Sequence, residues 1–364
     1  MRIFIGAGEP SGDRILAKLL AGLRIQFPKM ELNGFGGPLS EAQGLVSLAP
    51  LDRLAVNGLT DTIAGFFPLL RTYLKLRHEM VKFQPNLVLL VDFPGMNERL
   101  GKIAISHGFS LYYIAPPQLW VYRNPGSRLR RLQERLSGAA IQVLFPFEAA
   151  FYSSWAPRIY QGHFFDPPSS LFPSKKERLL LCPGSRAKVM NRNLPYWLKR
   201  IREGNPALDL DVLVPENLAA EAQRWIGSYS NIRLLHNSKS AFEQAGAAIA
   251  FPGTITLELF LRRIPTLVWA IVDGPTLWAG KRHLAKPWVA LPNLLLGREV
   301  FPEWVGSAGR FNRSPPDFPP MGSCFDISEA DINSVWTKMG SSLGVESAVD
   351  ACMKLLTKIP VIIE

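Results

Sequence analysis

The chain has 364 residues, of which 47% are hydrophobic and 20% are charged. This balance excludes an intrinsically disordered chain, and the length favours two domains. The formal net charge of +11 is compatible with nucleic acid, anionic lipid, a phosphorylated substrate or no specific partner at all. Cys182, Cys324 and Cys352 are too far apart for a disulfide scaffold or a zinc site, which indicates a reducing compartment.

Neither a signal peptide nor a membrane-spanning helix is expected. The apolar run at the N-terminus is short, and polar residues follow it at once. No segment approaches the roughly 18 uninterrupted apolar residues that a spanning helix requires. Any contact with a membrane would therefore be made at its surface.

In the first half of the chain, strand-like and helix-like patterns alternate. The predicted strands are residues 2–7, 86–91, 110–114 and 140–144, and the predicted helices are 14–26 and 100–107. Strands that alternate with helices indicate a parallel sheet covered on both faces.

The second half repeats this pattern after a segment rich in Pro, Ser and Phe at 162–176. Its predicted strands are 178–182, 208–214, 232–235, 247–251 and 265–271, with a helix at 258–262. We therefore expect an α/β protein with two Rossmann-like domains, 1–165 and 166–340, facing each other across a cleft. A helical tail within 341–364 would pack on the first domain or on another subunit.

Three polar segments follow predicted strands in the first half. A Gly/Pro/Ser turn at 6–13 ends in Asp13, which could bind a ligand or simply cap a helix. Asp92 follows a buried strand and could accept a proton from a hydroxyl, or cap a turn. Trp120 and Arg123 precede a run of arginines that suits a phosphorylated or sugar ligand, or forms a solvated helix.

The second half contains two small-residue turns. Residues 182–186 and 251–258 both follow strands, and each would expose backbone N–H groups at a helix start, which is a natural diphosphate site. Glu258, one turn into its helix, could accept hydrogen bonds from ribose hydroxyls. Asn293 and Arg298 lie in an apolar stretch and need partners if buried, so they could be structural or bind ligand.

These segments, in this order, resemble the lipid-A-disaccharide synthase family. The resemblance runs from Gly-Glu-Pro-Ser-Gly-Asp at 8–13 to Leu-Pro-Asn-Leu-Leu-Leu-Gly-Arg-Glu at 291–299. Between them lie Leu-Ala-Val-Asn-Gly at 54–58, Leu-Phe-Pro-Phe-Glu at 144–148 and Gly-His at 162–163. The resemblance implies the GT-B fold and an inverting transfer from UDP-2,3-diacylglucosamine to 2,3-diacylglucosamine 1-phosphate (lipid X).

The resemblance also implies site residues and partners. It gives Asp92 as the catalytic residue and expects no cofactor and no metal. The implied donor site comprises Gly184, Ser185, Arg186, Gly253, Thr254, Glu258 and Asn293. The acceptor site would comprise Glu9, Ser11, Gly12, Asp13, Asp61, Trp120 and Arg123. The expected location is the anionic surface at the cytoplasmic face of the inner membrane. The sequence does not decide whether the protein forms a homodimer. No motif supports nucleic-acid binding.

Alternatives follow from departures from the family pattern. The family usually has an acid near Gly-Ser-Arg, whereas this chain continues Ala187-Lys188-Val189. A relative that binds UDP-sugar or lipid without turnover is therefore the alternative. Another GT-B enzyme, such as a UDP-GlcNAc 2-epimerase, is disfavoured by segments 144–148 and 291–294. Residues 54–76 could lie in a membrane interface or form a core helix.

Overall fold

The computed structural model describes residues 1–51, 66–155, 159–165, 178–227, 229–307, 327–340 and 343–357. Within these ranges the chain forms two parallel β-sheets, one of seven strands and one of six, each flanked by helices. The predicted Asp61 and Cys324, the segment 54–58 and most of the segment 162–176 lie outside the described residues.

The first sheet has the strand order β3-β2-β1-β4-β5-β6-β7. The strands are β1 (Arg2–Ala7), β2 (Glu31–Phe35), β3 (Val46–Ser47), β4 (Leu87–Val91), β5 (Ser110–Ile114), β6 (Ala140–Val143) and β7 (Ile159–Gln161). Ala7 is level with Val91, and Val91 with Ile114. The three central strands therefore end together, and the residues that follow them emerge at one edge of the sheet.

Helices cover both faces of this sheet. They are α1 (Pro10–Gln26), α2 (Pro38–Glu41), α3 (Phe66–Phe83), α4 (Pro94–Ser106) and α5 (Pro125–Leu136). Ile3 and Ile5 pack into the core beneath α1, while Phe4 joins the core beneath α3, α4 and α5. This alternation follows from the period of two along a strand. It explains why the strands contain almost continuous apolar residues.

The second sheet has the order β10-β9-β8-β11-β12-β13. Its strands are β8 (Arg178–Cys182), β9 (Leu210–Leu213), β10 (Ile232–Leu235), β11 (Ala245–Ala250), β12 (Thr266–Ile271) and β13 (Glu303–Gly306). Its helices are α6 (Ala187–Gly204), α7 (Ala219–Ile226), α8 (Ser238–Gln244), α9 (Thr254–Leu261), α10 (Gly274–His283), α11 (Leu291–Leu296) and α12 (Glu329–Met339). The rings of Trp197 and Trp269 stack in its core, with centroids 6.0 Å apart.

A last helix, α13 (Gly344–Thr357), returns to the first sheet and packs against α1. The returning chain crosses the end of β7 at a close contact between two glycines, Gly162 and Gly344. Gln142 Nε2 donates to the carbonyl oxygens of both, at 3.2 and 3.1 Å. Since Gln142 is fully buried, these bonds fix the place where the chain returns.

The predicted strands are confirmed within one or two residues, but several helices begin earlier than expected. Helix α1 begins at Pro10 and α4 at Pro94, because proline fits the first turn of a helix, where no N–H partner is needed. Four strands were not predicted: β2, β3, β7 and β13. Strand β2 contains Asn33 and Gly34, which interrupt its apolar pattern, and the other three have only two to four residues.

Candidate active site at the cleft between the two sheets

Asp92 lies directly after β4, where the chain leaves the first sheet. Asp92 and Phe93 both have left-handed backbone conformations, with φ of 49° and 50°. Two consecutive non-glycine residues in this region are strained, and such strain persists only where surrounding contacts hold it. The strained turn leads into α4 through Pro94 and leaves the Asp92 side chain partly buried at the edge of the sheet.

Two buried side chains hold this turn. Asn97 Nδ2 donates to the carbonyl oxygens of Val91 and Asp92, at 3.0 and 2.7 Å. The Tyr113 hydroxyl donates to the Asp92 carbonyl at 3.0 Å. Because Asn97 is fully buried and Tyr113 lies on the neighbouring strand, the position of Asp92 is determined by the sheet itself. These bonds use the backbone carbonyl of Asp92 and not its carboxyl group.

The surroundings of Asp92 favour its protonated form. Burial and the charge of Glu9 raise the pKa of the Asp92 carboxyl to about 7, against the opposing effects of the Phe93 backbone N–H and the Arg186 guanidinium. A carboxyl group with a pKa near the working pH is well suited to general base catalysis. An ordinary surface aspartate would be a much weaker base.

Two ion pairs join the start of α1 to the second domain. Glu9, the residue before α1, pairs with Arg186, the residue before α6. Arg14, in the second turn of α1, pairs with Glu258 at 3.1 Å between Nη1 and Oε1. The start of α1 therefore contacts both turns of the second half that the sequence assigns to a nucleotide.

The two small-residue turns of the second half lie at the carboxyl ends of β8 and β11. Gly184 has a φ of 110°, which a larger residue would adopt only with strain, and it turns the chain into α6. Ser185, Gly253 and Thr254 are exposed at the starts of α6 and α9. N–H groups at a helix start are suited to an anion such as a diphosphate.

The Asp13 carboxylate is buried and hydrogen-bonded to the start of α2. Its carboxylate accepts hydrogen bonds from the backbone N–H groups of Gly37, Leu39 and Ser40, at 2.9 to 3.1 Å. Through these bonds Asp13, which is 2% exposed, caps the start of α2 and not its own helix α1. This corrects the expectation that Asp13 caps α1, and it gives Asp13 a structural role.

Asn293 has a similar structural position. Its Nδ2 donates to the Phe301 carbonyl and to Glu303 Oε1, at 2.7 and 2.8 Å. Its Oδ1 accepts from the backbone N–H groups of Val300 and Phe301. Asn293 is fully buried and its hydrogen-bonding capacity is used, so the structure favours the structural alternative over ligand binding.

The remaining described acceptor candidates differ in their burial. Ser11 is half-buried in the first turn of α1, and Gly12 is buried against the ends of β1 and β4. Trp120 Nε1 donates to the buried Glu148 at 2.8 Å, which fixes a half-exposed indole. Burial raises the pKa of Glu148 to about 7.

Arg123 joins the two halves of the molecule. Its backbone N–H donates to the His283 carbonyl at 2.9 Å, and its Nε donates to the Leu284 carbonyl at 2.8 Å. Arg128 and Arg135, later in the same basic run, pair with the buried Glu98. These two arginines therefore join α5 to α4; Arg128 is largely buried by its pair, whereas Arg135 stays exposed at 43%, as the solvated-helix alternative expects.

Two residues of this site were missed in the sequence. Arg14 gives no local signal, because only the fold brings it to Glu258. Asn97 could have been found from its place in the first turn of the helix after Asp92, where an amide can bond to the preceding strand end. Among the described residues, no group of three or more His, Cys, Asp or Glu could hold a metal ion.

The architecture is the GT-B fold, which glycosyltransferases and UDP-GlcNAc 2-epimerases share. The UDP-GlcNAc 2-epimerase from Neisseria meningitidis superposes with a TM-score of 0.54 at 12% identity, covering 98% of this chain and 100% of the epimerase. The spinosyn forosaminyltransferase SpnP gives 0.56 at 17% identity, covering 98% and 99%. At such identities these similarities show the fold alone.

The sequence comparisons define the family. The family model for lipid-A-disaccharide synthetase matches residues 3–314. The lipid-A-disaccharide synthase of Coxiella burnetii is 30% identical over 310 residues, covering 80% of this chain and 81% of that protein. That of Pseudomonas fluorescens is 30% identical over 325 residues, covering 83% and 85%. The chain belongs to the lipid-A-disaccharide synthase family, and it is a glycosyltransferase of lipid A biosynthesis.

Proposed function

We propose that this protein transfers 2,3-diacylglucosamine from its UDP derivative to the 6-hydroxyl of lipid X, with Asp92 as general base. The observation that carries this proposal is that Asp92, whose pKa is about 7, lies near Glu9, which pairs with the Arg186 guanidinium of the opposite domain. The carboxyl group can accept the acceptor's proton, and the guanidinium can hold the donor's diphosphate.

In the proposed reaction, Asp92 takes the proton from the 6-hydroxyl as its oxygen attacks the anomeric carbon of the donor. The bond from that carbon to the diphosphate oxygen breaks, and its electron pair leaves with UDP. Arg186 and the exposed N–H groups at the starts of α6 and α9 stabilise the negative charge on the leaving group. Glu258 is placed one turn into α9, within reach of a ribose whose diphosphate lies at Gly253 and Thr254.

The experiment is to incubate the purified protein with UDP-2,3-diacylglucosamine and lipid X and to look by mass spectrometry for the tetraacyl disaccharide 1-phosphate and UDP. Asp92→Asn should lower turnover by about 10²–10⁴-fold, the usual contribution of a general base, while UDP affinity stays near that of the wild type. Asp350→Asn, on the surface of α13 and away from the cleft, is the matched control. Wild-type turnover in Asp92→Asn would contradict the assigned role.

The alternative, binding without turnover, makes a different prediction for the same experiment. It expects UDP to bind and no disaccharide to form. The supporting feature is the absence of an acid at 187–189, where α6 begins with Ala187 and Lys188. The strained and well-supported Asp92 turn favours turnover, because a binding protein has no need for a perturbed carboxyl group there.

We also propose that α3 binds an anionic membrane surface. Phe67, Leu70 and Leu74 are 78%, 38% and 49% exposed and follow the helical spacing of a single face. The opposite face buries Leu76 and Met80 in the core of the first domain. In the described part of this segment, one face packs on the sheet, as a core helix would, and the other faces solvent, where it is available for the proposed membrane contact.

The flanking charges of α3 support the same proposal. Arg71, Lys75 and Arg77 are exposed on this helix and could contact anionic headgroups while the apolar face enters the interface. No helix of the described residues is long and apolar enough to cross a membrane. Contact through α3 would place the cleft close to the surface that supplies acylated substrates.

Flotation with vesicles that contain anionic lipid tests this surface. Phe67→Ser combined with Leu74→Ser should reduce the bound fraction several-fold in a folded protein, because about 25 cal/mol per Å² of apolar contact is lost. Ile25→Ser, which changes an equally exposed apolar residue at the end of α1, is the matched control. Unchanged flotation of the double variant would contradict a membrane role for α3.

A further inference from the structure

The start of α1 contributes two oppositely charged side chains to the second domain. Glu9 is negative and meets the positive Arg186, whereas Arg14 is positive and meets the negative Glu258. Both partners in the second domain belong to the turns assigned to the donor nucleotide. The contacts between the domains therefore use the groups that the donor itself requires.

We propose that Glu9 and Arg14 are positioning residues that the UDP-sugar displaces, so that donor binding exchanges the two cross-cleft ion pairs for contacts with the diphosphate and the ribose. The proposal rests on the donor site described above. Arg186 exchanges its contact with Glu9 for one with the diphosphate. Glu258 exchanges its contact with Arg14 for one with the ribose. Loading of the second domain is thereby coupled to release of α1 in the first.

The exposure of the four side chains indicates that this exchange is feasible. Glu9 and Arg186 are 25% and 28% exposed, so water and ligand can reach the pair. Arg14 is more exposed than Glu258, at 54% against 13%, so the arginine can swing away while the carboxylate stays in place. Pairs of this kind contribute little net stability in water, and a ligand of higher charge density can replace them.

The placement of Glu9 gives the exchange a consequence for the reaction. Glu9 is close enough to Asp92 for its charge to raise the pKa of that carboxyl, while Arg186 opposes it. When the diphosphate draws Arg186 away, Glu9 remains on the acceptor side of the cleft beside the proposed base. Donor binding thus changes the charges that surround the position of the incoming hydroxyl.

Arg14 provides the decisive test because two explanations predict opposite changes in UDP affinity when this residue is replaced. If Arg14 only attracts the anionic nucleotide, Arg14→Gln weakens UDP binding. If Arg14 competes with the ribose for Glu258, Arg14→Gln tightens UDP binding, by about twofold to fivefold for an exposed pair. Arg14→Lys keeps the ion pair and should restore the wild-type affinity. Arg130→Gln, an exposed arginine on α5, is the control for loss of one positive charge.

The experiment measures UDP affinity by titration calorimetry for the full chain and its variants at low and moderate ionic strength. Glu9→Gln should tighten UDP binding by about twofold to fivefold, and this gain should vanish in an Arg186→Gln background, since no guanidinium remains to be released. Glu134→Gln is its control. Added salt weakens the attraction of UDP to its site, and in the wild type it also weakens the competing pair of Arg14 with Glu258. UDP affinity should therefore fall less with salt in the wild type than in Arg14→Gln.

The possible results distinguish failure of the exchange from failure of the donor site. If UDP binds the wild type but Arg14→Gln weakens it, or Glu9→Gln tightens it equally with and without Arg186, the exchange is wrong and the donor site stands. If UDP does not bind the wild type at all, the donor site and the exchange both fail. Tighter binding by Arg14→Gln with recovery in Arg14→Lys supports the exchange.

Discussion

The pH dependence of transfer follows directly from the environment of Asp92. If ionised Asp92 is the base, kcat/KM for the acceptor rises with pH and levels off above the pKa of about 7. The rate is then about half of the plateau at pH 7, roughly a tenth at pH 6 and roughly a hundredth at pH 5. An aspartate in water would give a flat profile over this range.

Glu9→Gln moves this profile in a defined direction. Burial is the largest cause of the raised pKa of Asp92, and the negative charge of Glu9 is the next. Removing that charge lowers the pKa, so the rising limb moves to lower pH. Each pH unit of movement multiplies the rate at pH 5 by about ten. Arg186→Gln removes a charge that lowers the pKa, and it therefore moves the limb to higher pH.

The assay is the initial rate of disaccharide formation from pH 5 to pH 9 with UDP-sugar and acceptor both well below their KM, so that the profile reports on the unliganded protein. The phosphate of the acceptor also titrates in this range, but it is the same in every reaction, so the difference between wild type and Glu9→Gln reports on the protein alone. Glu134→Gln should superpose on the wild type. A limb that stays in place in Glu9→Gln, or moves to higher pH, refutes the assignment of Asp92 as the group that titrates.

Two predictions concern the stability of the fold. Asn293→Ala leaves buried backbone groups without partners and should lower the free energy of unfolding by about 3 kcal/mol, as measured by urea denaturation. The UDP affinity of the folded protein should not change. A selective loss of UDP binding would instead show that Asn293 binds ligand. Gly344→Ala places a Cβ against the carbonyl of His163, and this overpacking should cost about 1–3 kcal/mol and lower Tm by several degrees. Gly204→Ala, at a position with no neighbouring atoms, should leave Tm unchanged.

The strand-ending residues were the part of the site that sequence patterns could locate. A carboxylate after a continuous apolar run must lie at the carboxyl edge of a parallel sheet, and Asp92 is found there. Arg186 and Gly253 follow strands of the second sheet in the same way. Their positions depend on local order along the chain, which is why they needed no knowledge of packing.

Residue type and neighbourhood in the sequence could not separate binding residues from structural ones. Asp13 and Asn293 lie in motifs as polar as that of Asp92, yet both are buried with their hydrogen-bonding groups in use. Their partners, Ser40 and Phe301 among them, lie up to 27 residues away, and only folding brings them together. A motif shows which polar groups are present, whereas the packing around them decides which remain available to a ligand.

By itself, the sequence determined the two parallel sheets, the order of most of their strands along the chain, and the turns that lie at the strand ends. These features follow from the periodicity of apolar residues and from the conformational preferences of glycine and proline, which act over a few residues. Tertiary structure alone decided that α1 reaches across the cleft. The pairs from Glu9 to Arg186 and from Arg14 to Glu258 join residues more than 170 positions apart, so only the packing of both domains could show that these charges meet.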